Sequence, residues 1–288
     1  MMWIKILLIC IAVLAIICLI SIWHSTTHFH KVFYRLSSDK ISKPVKFVLL
    51  SDLHDKEYGP HNEKLLKAID EETPDAILVA GDMPTALEDR EVKVAEEFIT
   101  ALSKKYRIYY GLGNHEAKMR WGKKRFGNRY EEYMKEIGET GSIILQNEFC
   151  DYEDDNIRIY GLDMIHRYFK RFQKIKMDDN YLEETLGKLD TGYYNILLAH
   201  NPTYFDDYAK IKPDLVLSGH LHGGMVRLPF LGGVIAPSFE LFPKYDGGKF
   251  ERDDSTMIIS RGLGAHSISF RMWNPAELVV IEITPMNK

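Results

Sequence analysis

Residues 217–224 read Leu-Ser-Gly-His-Leu-His-Gly-Gly and place His220 and His222 two positions apart, directly after an apolar run. If residues 211–218 end a buried strand, the flanking glycines allow a turn tight enough for both imidazoles to face one point. Two histidines that converge at a strand end indicate a metal site. A loop with surface histidines fits this stretch equally well, because an isolated His-x-His pattern is a weak signal. Further ligands at other strand ends would decide between the two.

The composition is that of a globular protein with enough residues for a full hydrophobic core. The chain has 288 residues, of which 45% are hydrophobic, and a net charge of -4. This charge gives no general signal for polyanion binding, so no nucleic-acid partner is expected. Cys10 and Cys18 lie in an N-terminal apolar run, which leaves Cys150 alone in the folded part. An intrachain disulfide is therefore not expected there.

Residues 4–23 are almost wholly apolar, interrupted by Lys5 and Ser21. This run has about the length that a helix needs to cross a bilayer. It is longer than the core of a usual signal peptide, and residues 21–24 offer no small-residue cleavage site. We therefore interpret residues 1–23 as an uncleaved transmembrane anchor.

The anchor predicts a single-pass protein of the cell membrane, with its folded domain expected outside the cytoplasm. Basic residues flank the apolar run on both sides, so charge counting leaves the side of the membrane open. Residues 24–43 are polar and show no sustained period, which predicts a linker. Residues 44–288 contain no further break and predict one domain.

Short apolar runs alternate with helical patterns and predict an α/β fold. The predicted helices span residues 62–72, 88–104 and 170–189. The predicted strands span residues 45–51, 76–80, 107–112, 142–146, 157–162, 194–199, 213–218, 257–260, 267–270 and 278–283.

Polar side chains follow five of these strands directly. They are Asp52, His54, Asp82, Asn114, His115, His200, His220 and His222. In open α/β folds functional groups gather at the carboxyl ends of strands, so these residues can converge although they are far apart in sequence. Taken singly, an Asp fits a helix cap and His200 fits a buried strand-end histidine. As a set, the carboxylate, amide and imidazole groups suit divalent cations.

The motifs occur in an order that resembles the calcineurin-like metallophosphoesterases, from about residue 45 to the C-terminus. They are Asp-x-His at 52–54, Gly-Asp at 81–82, Gly-Asn-His-Glu at 113–116, His200, and Gly-His-x-His at 219–222. Residues 218–224, 227–229 and 260–264 are similar to a membrane- or wall-associated bacterial branch of that family. The resemblance implies a two-sheet β-sandwich flanked by helices.

The resemblance also implies two divalent metal ions, Mn²⁺, Zn²⁺ or Fe²⁺, with separate ligand sets. The first set is Asp52, His54 and His222, and the second is Asn114, His200 and His220. Asp82 would bridge the two cations and position a shared hydroxide for in-line attack on phosphorus. His115 is the implied acid for the leaving alkoxide.

Several residues depart from the family pattern or allow two interpretations. Thr85 stands where many members carry a second carboxylate, and the arginine that protein Ser/Thr phosphatases place beyond it is missing. Glu116 either orients His115 or begins a helix. Arg261 either reaches substrate phosphate or is structural. The basic and aromatic segment 117–140 fits an anionic-substrate surface or a solvated pair of helices.

These features predict a membrane-anchored, binuclear metal-dependent phosphoesterase that hydrolyses a phosphodiester or pyrophosphate bond. A lipid-linked or nucleotide-linked envelope precursor is one substrate that suits an anchored enzyme. Two alternatives stay open: a phosphomonoesterase or protein phosphatase, and a metal-binding envelope protein without catalytic activity.

Overall fold

A computed structural model describes residues 1–89, 91–170, 175–237, 239–265 and 270–286. The described α-helices are α1 (Met2–Thr27), α2 (Glu63–Glu72), α3 (Lys93–Ser103), α4 (Asn114–Trp121), α5 (Lys123–Phe126), α6 (Arg129–Glu139), α7 (Tyr181–Leu186) and α8 (Phe205–Tyr208), and short 3-10 helices lie between other elements. The first seven strands are β1 (Phe29–Ser38), β2 (Val45–Leu50), β3 (Ala76–Ala80), β4 (Arg107–Gly111), β5 (Ile143–Leu145), β6 (Glu148–Tyr152) and β7 (Ile157–Leu162). The others are β8 (Tyr194–Ala199), β9 (Leu215–Ser218), β10 (Val226–Leu228), β11 (Gly232–Ile235), β12 (Gly248–Arg252), β13 (Ser255–Ile259) and β14 (Ala276–Pro285).

The described strands form two six-stranded sheets and one small hairpin. The strand order is β1-β14-β2-β3-β4-β5 in the first sheet and β12-β13-β9-β8-β7-β6 in the second, while β10 pairs with β11. The inner strands β2, β3 and β4 are parallel, as are β7, β8 and β9. Their carboxyl ends can therefore carry groups that meet at one edge of the molecule.

A hydrophobic core fills the space between the sheets. Phe47 and Leu49 of β2 belong to this core together with Ile196 of β8 and other strand residues. Val48 and Leu50 point the opposite way and pack in a second core under α2, α3 and α6. Because both faces of β2 are buried, its sequence is apolar without alternation. The predicted α/β fold, a two-sheet β-sandwich flanked by helices, is confirmed.

The prediction of a linker over residues 24–43 is wrong, because β1 occupies ten of these residues. β1 runs parallel to β14 along its whole length, from the pair Phe29–Ala276 to the pair Ser38–Pro285. Tyr34 and Leu36 pack against the core between the sheets. One face of β1 is solvated, with Phe33, Arg35 and Ser37 exposed, and polar side chains weaken the apolar period that marks the inner strands.

One predicted helix differs from the structure, one predicted strand falls largely outside the described residues, and one hairpin was not predicted. The helix predicted over residues 170–189 is limited to α7, although residues 171–174 of that prediction lie outside the described residues. The strand predicted over 267–270 also falls largely outside them. The hairpin of β10 and β11 was not predicted, because its strands are short and carry Pro and Gly at their connection.

Among the described residues, α1 is the one helix long and apolar enough to cross a membrane. It spans 26 residues and ends at Thr27, four residues beyond the predicted end. Its side chains are exposed almost throughout. The backbone N–H of Trp273 donates a hydrogen bond of 2.8 Å to Ser21 Oγ, which joins the last turns of α1 to the folded domain.

Candidate metal centre

The structure brings the eight predicted site residues together at the carboxyl ends of β2, β3, β4, β8 and β9. Seven donor side chains fall into groups whose ligand atoms lie within 4.8 Å of one another. The groups are Asp52, His54 and His222; Asp82, His200 and His220; and His54, Asp82 and His115. Apart from the half-buried His220, all the grouped residues are buried.

The first group has the spacing of ligands around one cation. His54 Nε2 lies 3.2 Å from His222 Nε2, which in turn lies 3.3 Å from Asp52 Oδ1. Two nitrogen ligands bound at about 2.0–2.1 Å in tetrahedral geometry would be roughly 3.4 Å apart. Asp52, His54 and His222 therefore fit a divalent cation.

The Asn114 amide lies beside the second group, Asp82, His200 and His220. In the structure, the amide oxygen faces acceptor atoms only, and a rotation that exchanged oxygen and nitrogen would place the nitrogen 3.2 Å from His200 Nε2 and 2.5 Å from His220 Nδ1. Several acceptors that converge on one region are the donor set that a cation requires. Asn114, His200 and His220 thus fit the ligand set implied for the second metal.

Asp82 belongs to two of the three groups, one with His200 and one with His54. Its Oδ2 is 3.1 Å from His200 Nε2 and 3.9 Å from His54 Nε2, which belong to different groups. Its Oδ1 accepts a 2.7 Å hydrogen bond from the backbone N–H of His115. One carboxylate oxygen is therefore fixed by the protein, and the other points between the two sets of ligands.

His200 is oriented by the strand beside it. Its Nδ1 donates to the carbonyl oxygen of Ala80 at 2.6 Å, which directs Nε2 into the site. Burial lowers the pKa of His200, but the carboxylates of Asp82 and Asp52 outweigh burial and raise this pKa to about 10. A metal ligand must have no proton on its donor atom, so the same negative charge that raises this pKa would make cation binding at Nε2 depend on pH.

The backbone N–H of Ala86 fixes the tautomer of His115. It donates a 2.8 Å hydrogen bond to His115 Nδ1, so Nδ1 is an acceptor and the neutral ring carries its proton on Nε2. Nε2 lies 4.0 Å from Asp82 Oδ2 and faces the ligand groups. Many family members carry a carboxylate where this chain has Thr85. Here the backbone N–H of Ala86, rather than such a carboxylate, contacts Nδ1 of His115.

Five of the grouped residues have left-handed backbone conformations. They are Asp52, His54, Asp82, His220 and His222, with φ between 50° and 70°. Each such non-glycine residue costs on the order of 1–3 kcal/mol and persists only where surrounding contacts impose it. At Gly219 a Cβ would lie 1.9 Å from Ser51 Oγ and 2.1 Å from Asp52 Oδ2, so a glycine is required there.

Glu116 fixes the backbone of the loops that carry Asp82 and Asn114, a role that the sequence did not reveal. It begins α4, as one of its two interpretations held, and its buried carboxylate accepts hydrogen bonds from the backbone N–H groups of Asp82, Met83 and Gly113. Tyr110 Oη donates to the same carboxylate at 2.8 Å. A capping pattern usually starts with Ser, Thr or Asp, whereas Gly113 occupies that position here.

Replacing Glu116 with glutamine is expected to lower the free energy of unfolding by about 1–3 kcal/mol, because the amide NH₂ would face N–H donors in a buried setting. Glu132→Gln on the exposed face of α6 is the matched control and should leave stability unchanged. Urea unfolding of both variants measures the difference. Equal stabilities would contradict the role given to Glu116.

Arg261 and the basic segment 117–140, each of which allowed two interpretations, form ion pairs within the protein. Arg261 Nε pairs with the buried carboxylate of Glu277 at 2.8 Å. This ion pair favours the structural interpretation of Arg261. In the basic segment, Arg120 pairs with the buried Asp163 at 2.7 Å and Lys123 pairs with Glu131 at 2.6 Å. These ion pairs favour the interpretation of segment 117–140 as packed, solvated helices.

Asn274 is a further residue that the sequence did not single out. It is fully buried, and its Nδ2 donates to the carbonyl oxygens of His222 and Gly224, each at 2.6 Å. It therefore fixes the backbone of the loop that carries the histidine pair. An asparagine in a polar loop has no sequence signal that separates this role from an ordinary turn.

The fold and the site define an α/β sandwich with clustered metal-ligating residues at its strand ends. The family described as calcineurin-like phosphoesterase matches residues 45–224. The chain belongs to this family, which implies metal-dependent hydrolysis of phosphoester bonds.

The chain is also similar to curated relatives. It is 26% identical to an uncharacterized metallophosphoesterase of Helicobacter pylori over 262 residues, which cover 87% of this chain and 62% of the relative. It is 24% identical to the uncharacterized metallophosphoesterase YkuE of Bacillus subtilis, covering 84% of this chain and 80% of the relative. A Danio rerio protein named as a transmembrane protein with a metallophosphoesterase domain is 25% identical, covering 82% of this chain and 52% of the relative. The chain thus spans less than two thirds of some relatives.

Proposed function

We propose that the chain is a membrane-anchored, binuclear metal-dependent phosphoesterase that hydrolyses a phosphodiester or pyrophosphate bond. The observation that carries this proposal is the position of Asp82 Oδ2, 3.1 Å from His200 Nε2 and 3.9 Å from His54 Nε2. A carboxylate oxygen between two ligand groups suits a bridge between two cations. Mn²⁺, Zn²⁺ and Fe²⁺ all accept this mixture of ligands.

Each residue has a role in this proposal. Asp52, His54 and His222 would hold one cation, Asn114, His200 and His220 the other, and Asp82 both. Two bound cations would supply Lewis-acid stabilisation of the phosphoryl oxygens and lower the pKa of the attacking water. His115 Nε2 faces the ligand groups and is placed to donate to the leaving oxygen. Because a neutral imidazole is a very weak acid, full proton transfer requires the imidazolium form of His115, in which Nδ1 no longer accepts from Ala86. Ala80 and Ala86 hold the imidazoles of His200 and His115 in the required tautomers through their backbone groups.

The membrane anchor is supported by α1, which is long and apolar enough to span a bilayer. The name of the Danio rerio relative describes a transmembrane protein. We propose that α1 is a single-pass anchor at the cell membrane, with the domain outside the cytoplasm. Because β1 completes a sheet, we place the start of the domain at Phe29 rather than at residue 44.

The proposal can be tested with the full chain in detergent. The protein is loaded with Mn²⁺, Zn²⁺ or Fe²⁺ and offered bis-p-nitrophenyl phosphate, a lipid diphosphate, p-nitrophenyl phosphate and a phosphopeptide. Hydrolysis of a phosphodiester or diphosphate, abolished by a chelator, is the expected result. Preference for the monoester or phosphopeptide would overturn the bond specificity, and hydrolysis of none would overturn the enzymatic function.

A further inference from the structure

A cluster of large apolar side chains lies exposed beside the loop that carries His220 and His222, here called the metal-site loop. Its members are Phe230, Leu231, Phe239, Leu241, Phe242 and Trp273, here called the apolar patch. Phe230 and Leu231 form the tip of the β10–β11 hairpin. The side chain of Phe230 is fully exposed, and that of Leu231 is 63% exposed. Contiguous apolar surface of this kind on a soluble face marks a contact with a partner or a membrane.

Backbone hydrogen bonds join the three segments of the patch into one unit. The N–H of Phe242 donates to the carbonyl of Val234 at 2.9 Å, which folds the segment after β11 back onto the hairpin. Arg227 N–H donates to the carbonyl of Met272 at 3.0 Å, and Met272 N–H donates to that of Met225 at 2.9 Å. The patch can therefore meet a flat surface as a single body.

The patch is continuous with the candidate transmembrane helix. The Trp273 N–H donates to Ser21 Oγ, so the loop of Trp273 contacts α1 two residues before the end of the apolar run 4–23. At about 1.5 Å per residue, this run extends about 30 Å, the thickness of a bilayer core. Ser21 then lies near the boundary of the hydrocarbon, at the depth where Trp side chains gather.

The same unit is tied to the metal-site loop. Asn274, next to Trp273, donates to the carbonyls of His222 and Gly224. From His222 to Phe230 the chain covers eight residues, at most about 27 Å when extended. A phosphoester bound at the metal ligands could thus keep its apolar part in a bilayer that the patch contacts.

We propose that the apolar patch lies in the headgroup region of the membrane that holds α1, and that the substrate is an amphiphilic phosphoester presented by that bilayer. The inference rests on the proposed function, because it takes α1 as the anchor and the ligand groups as a hydrolytic site. The proposal holds for either orientation of α1 in the membrane. The folded domain always follows the C-terminal end of α1, so the patch faces the bilayer surface on whichever side that end lies. The exposed Glu240 lies between Phe239 and Leu241, and such a charge suits the headgroup region better than the hydrocarbon.

The position of the patch is tested with the full chain in vesicles of phosphatidylcholine and phosphatidylglycerol at about 3:1. A nitroxide is attached to Leu231→Cys in a background with Cys10, Cys18 and Cys150 changed to serine, and Phe149→Cys on the opposite sheet edge is the matched control. The label at 231 should collide more often with oxygen than with a water-soluble nickel chelate, and the label at 149 should do the reverse. Identical behaviour of the labels, or spin coupling between two chains at 231, would overturn the proposal.

The substrate class is tested by a ratio of activities. The value of kcat/KM is measured for a phosphodiester lipid in the vesicles and for bis-p-nitrophenyl phosphate in solution. The double variant Phe230→Ser/Leu231→Ser should lower the ratio of the two at least tenfold, and Phe149→Ser should not. An unchanged ratio would overturn the substrate class. Loss of both activities in the wild-type protein would instead overturn the proposed function, while the nitroxide measurement would still decide the position of the patch.

Discussion

Replacing Asp82 with asparagine is expected to lower kcat/KM for phosphodiester hydrolysis by about a thousandfold or more. The asparagine keeps the shape of the side chain and can still accept the hydrogen bond from the backbone N–H of His115. It removes the negative charge at Oδ2, which lies between the ligand groups of His54 and His200. Both cations would therefore lose a ligand in one substitution.

The control for this variant is Asp254→Asn, an exposed aspartate in the turn between β12 and β13, at the sheet edge opposite the metal ligands. It should retain the activity and the metal content of the wild type. Metal content is measured by mass spectrometry of the protein after removal of free metal. If Asp82→Asn retained full activity and two bound metals, the bridging role of Asp82 would be refuted.

Replacing His115 with alanine is expected to lower kcat by about 10²- to 10⁴-fold, the usual range for loss of a general acid. Its Nε2 carries the proton and faces the ligand groups, whereas its Nδ1 accepts from Ala86. The metal content should be retained, because the ligand sets assigned to the two cations do not include His115. A metal-binding envelope protein without catalytic activity would have no kcat to lose, and the variant and the wild type would both be inactive.

The leaving group separates acid catalysis from a structural effect. A nitrophenolate leaves with little help from a proton, whereas an alkoxide requires one. The His115→Ala variant should therefore lose more activity on an alkyl phosphodiester than on bis-p-nitrophenyl phosphate. The exposed His61→Ala is the control. Equal losses on the two substrates would show that His115 only positions other groups.

The inner strands could be predicted because burial on both faces leaves an apolar run in the sequence. β2 and β3 are such strands, and the polar residues that follow them mark their ends. β1 escaped prediction because one of its faces is exposed at Phe33, Arg35 and Ser37 and polar residues interrupt its apolar pattern. Its place in the sheet depends on ten residue pairs with β14, which lies near the other end of the chain.

The candidate ligands could be predicted from their side chains, but their supports could not. Ala86 acts through its backbone N–H, which leaves no trace in the residue type. The left-handed conformations of Asp52 and Asp82 are likewise imposed by the surroundings rather than by the residues themselves. Glu is common at the start of helices and Asn is common in loops, so neither Glu116 nor Asn274 stands out in the sequence. Their importance lies in the buried backbone groups that they contact.

Electron paramagnetic resonance of the wild-type chain loaded with Mn²⁺ tests the binuclear site most directly. Two cations that share the Asp82 carboxylate would be magnetically coupled, so we expect two Mn²⁺ per chain and an exchange-coupled spectrum. In Asp82→Asn this coupling should disappear. A wild-type spectrum of isolated, uncoupled Mn²⁺, with one cation per chain, would contradict the binuclear site.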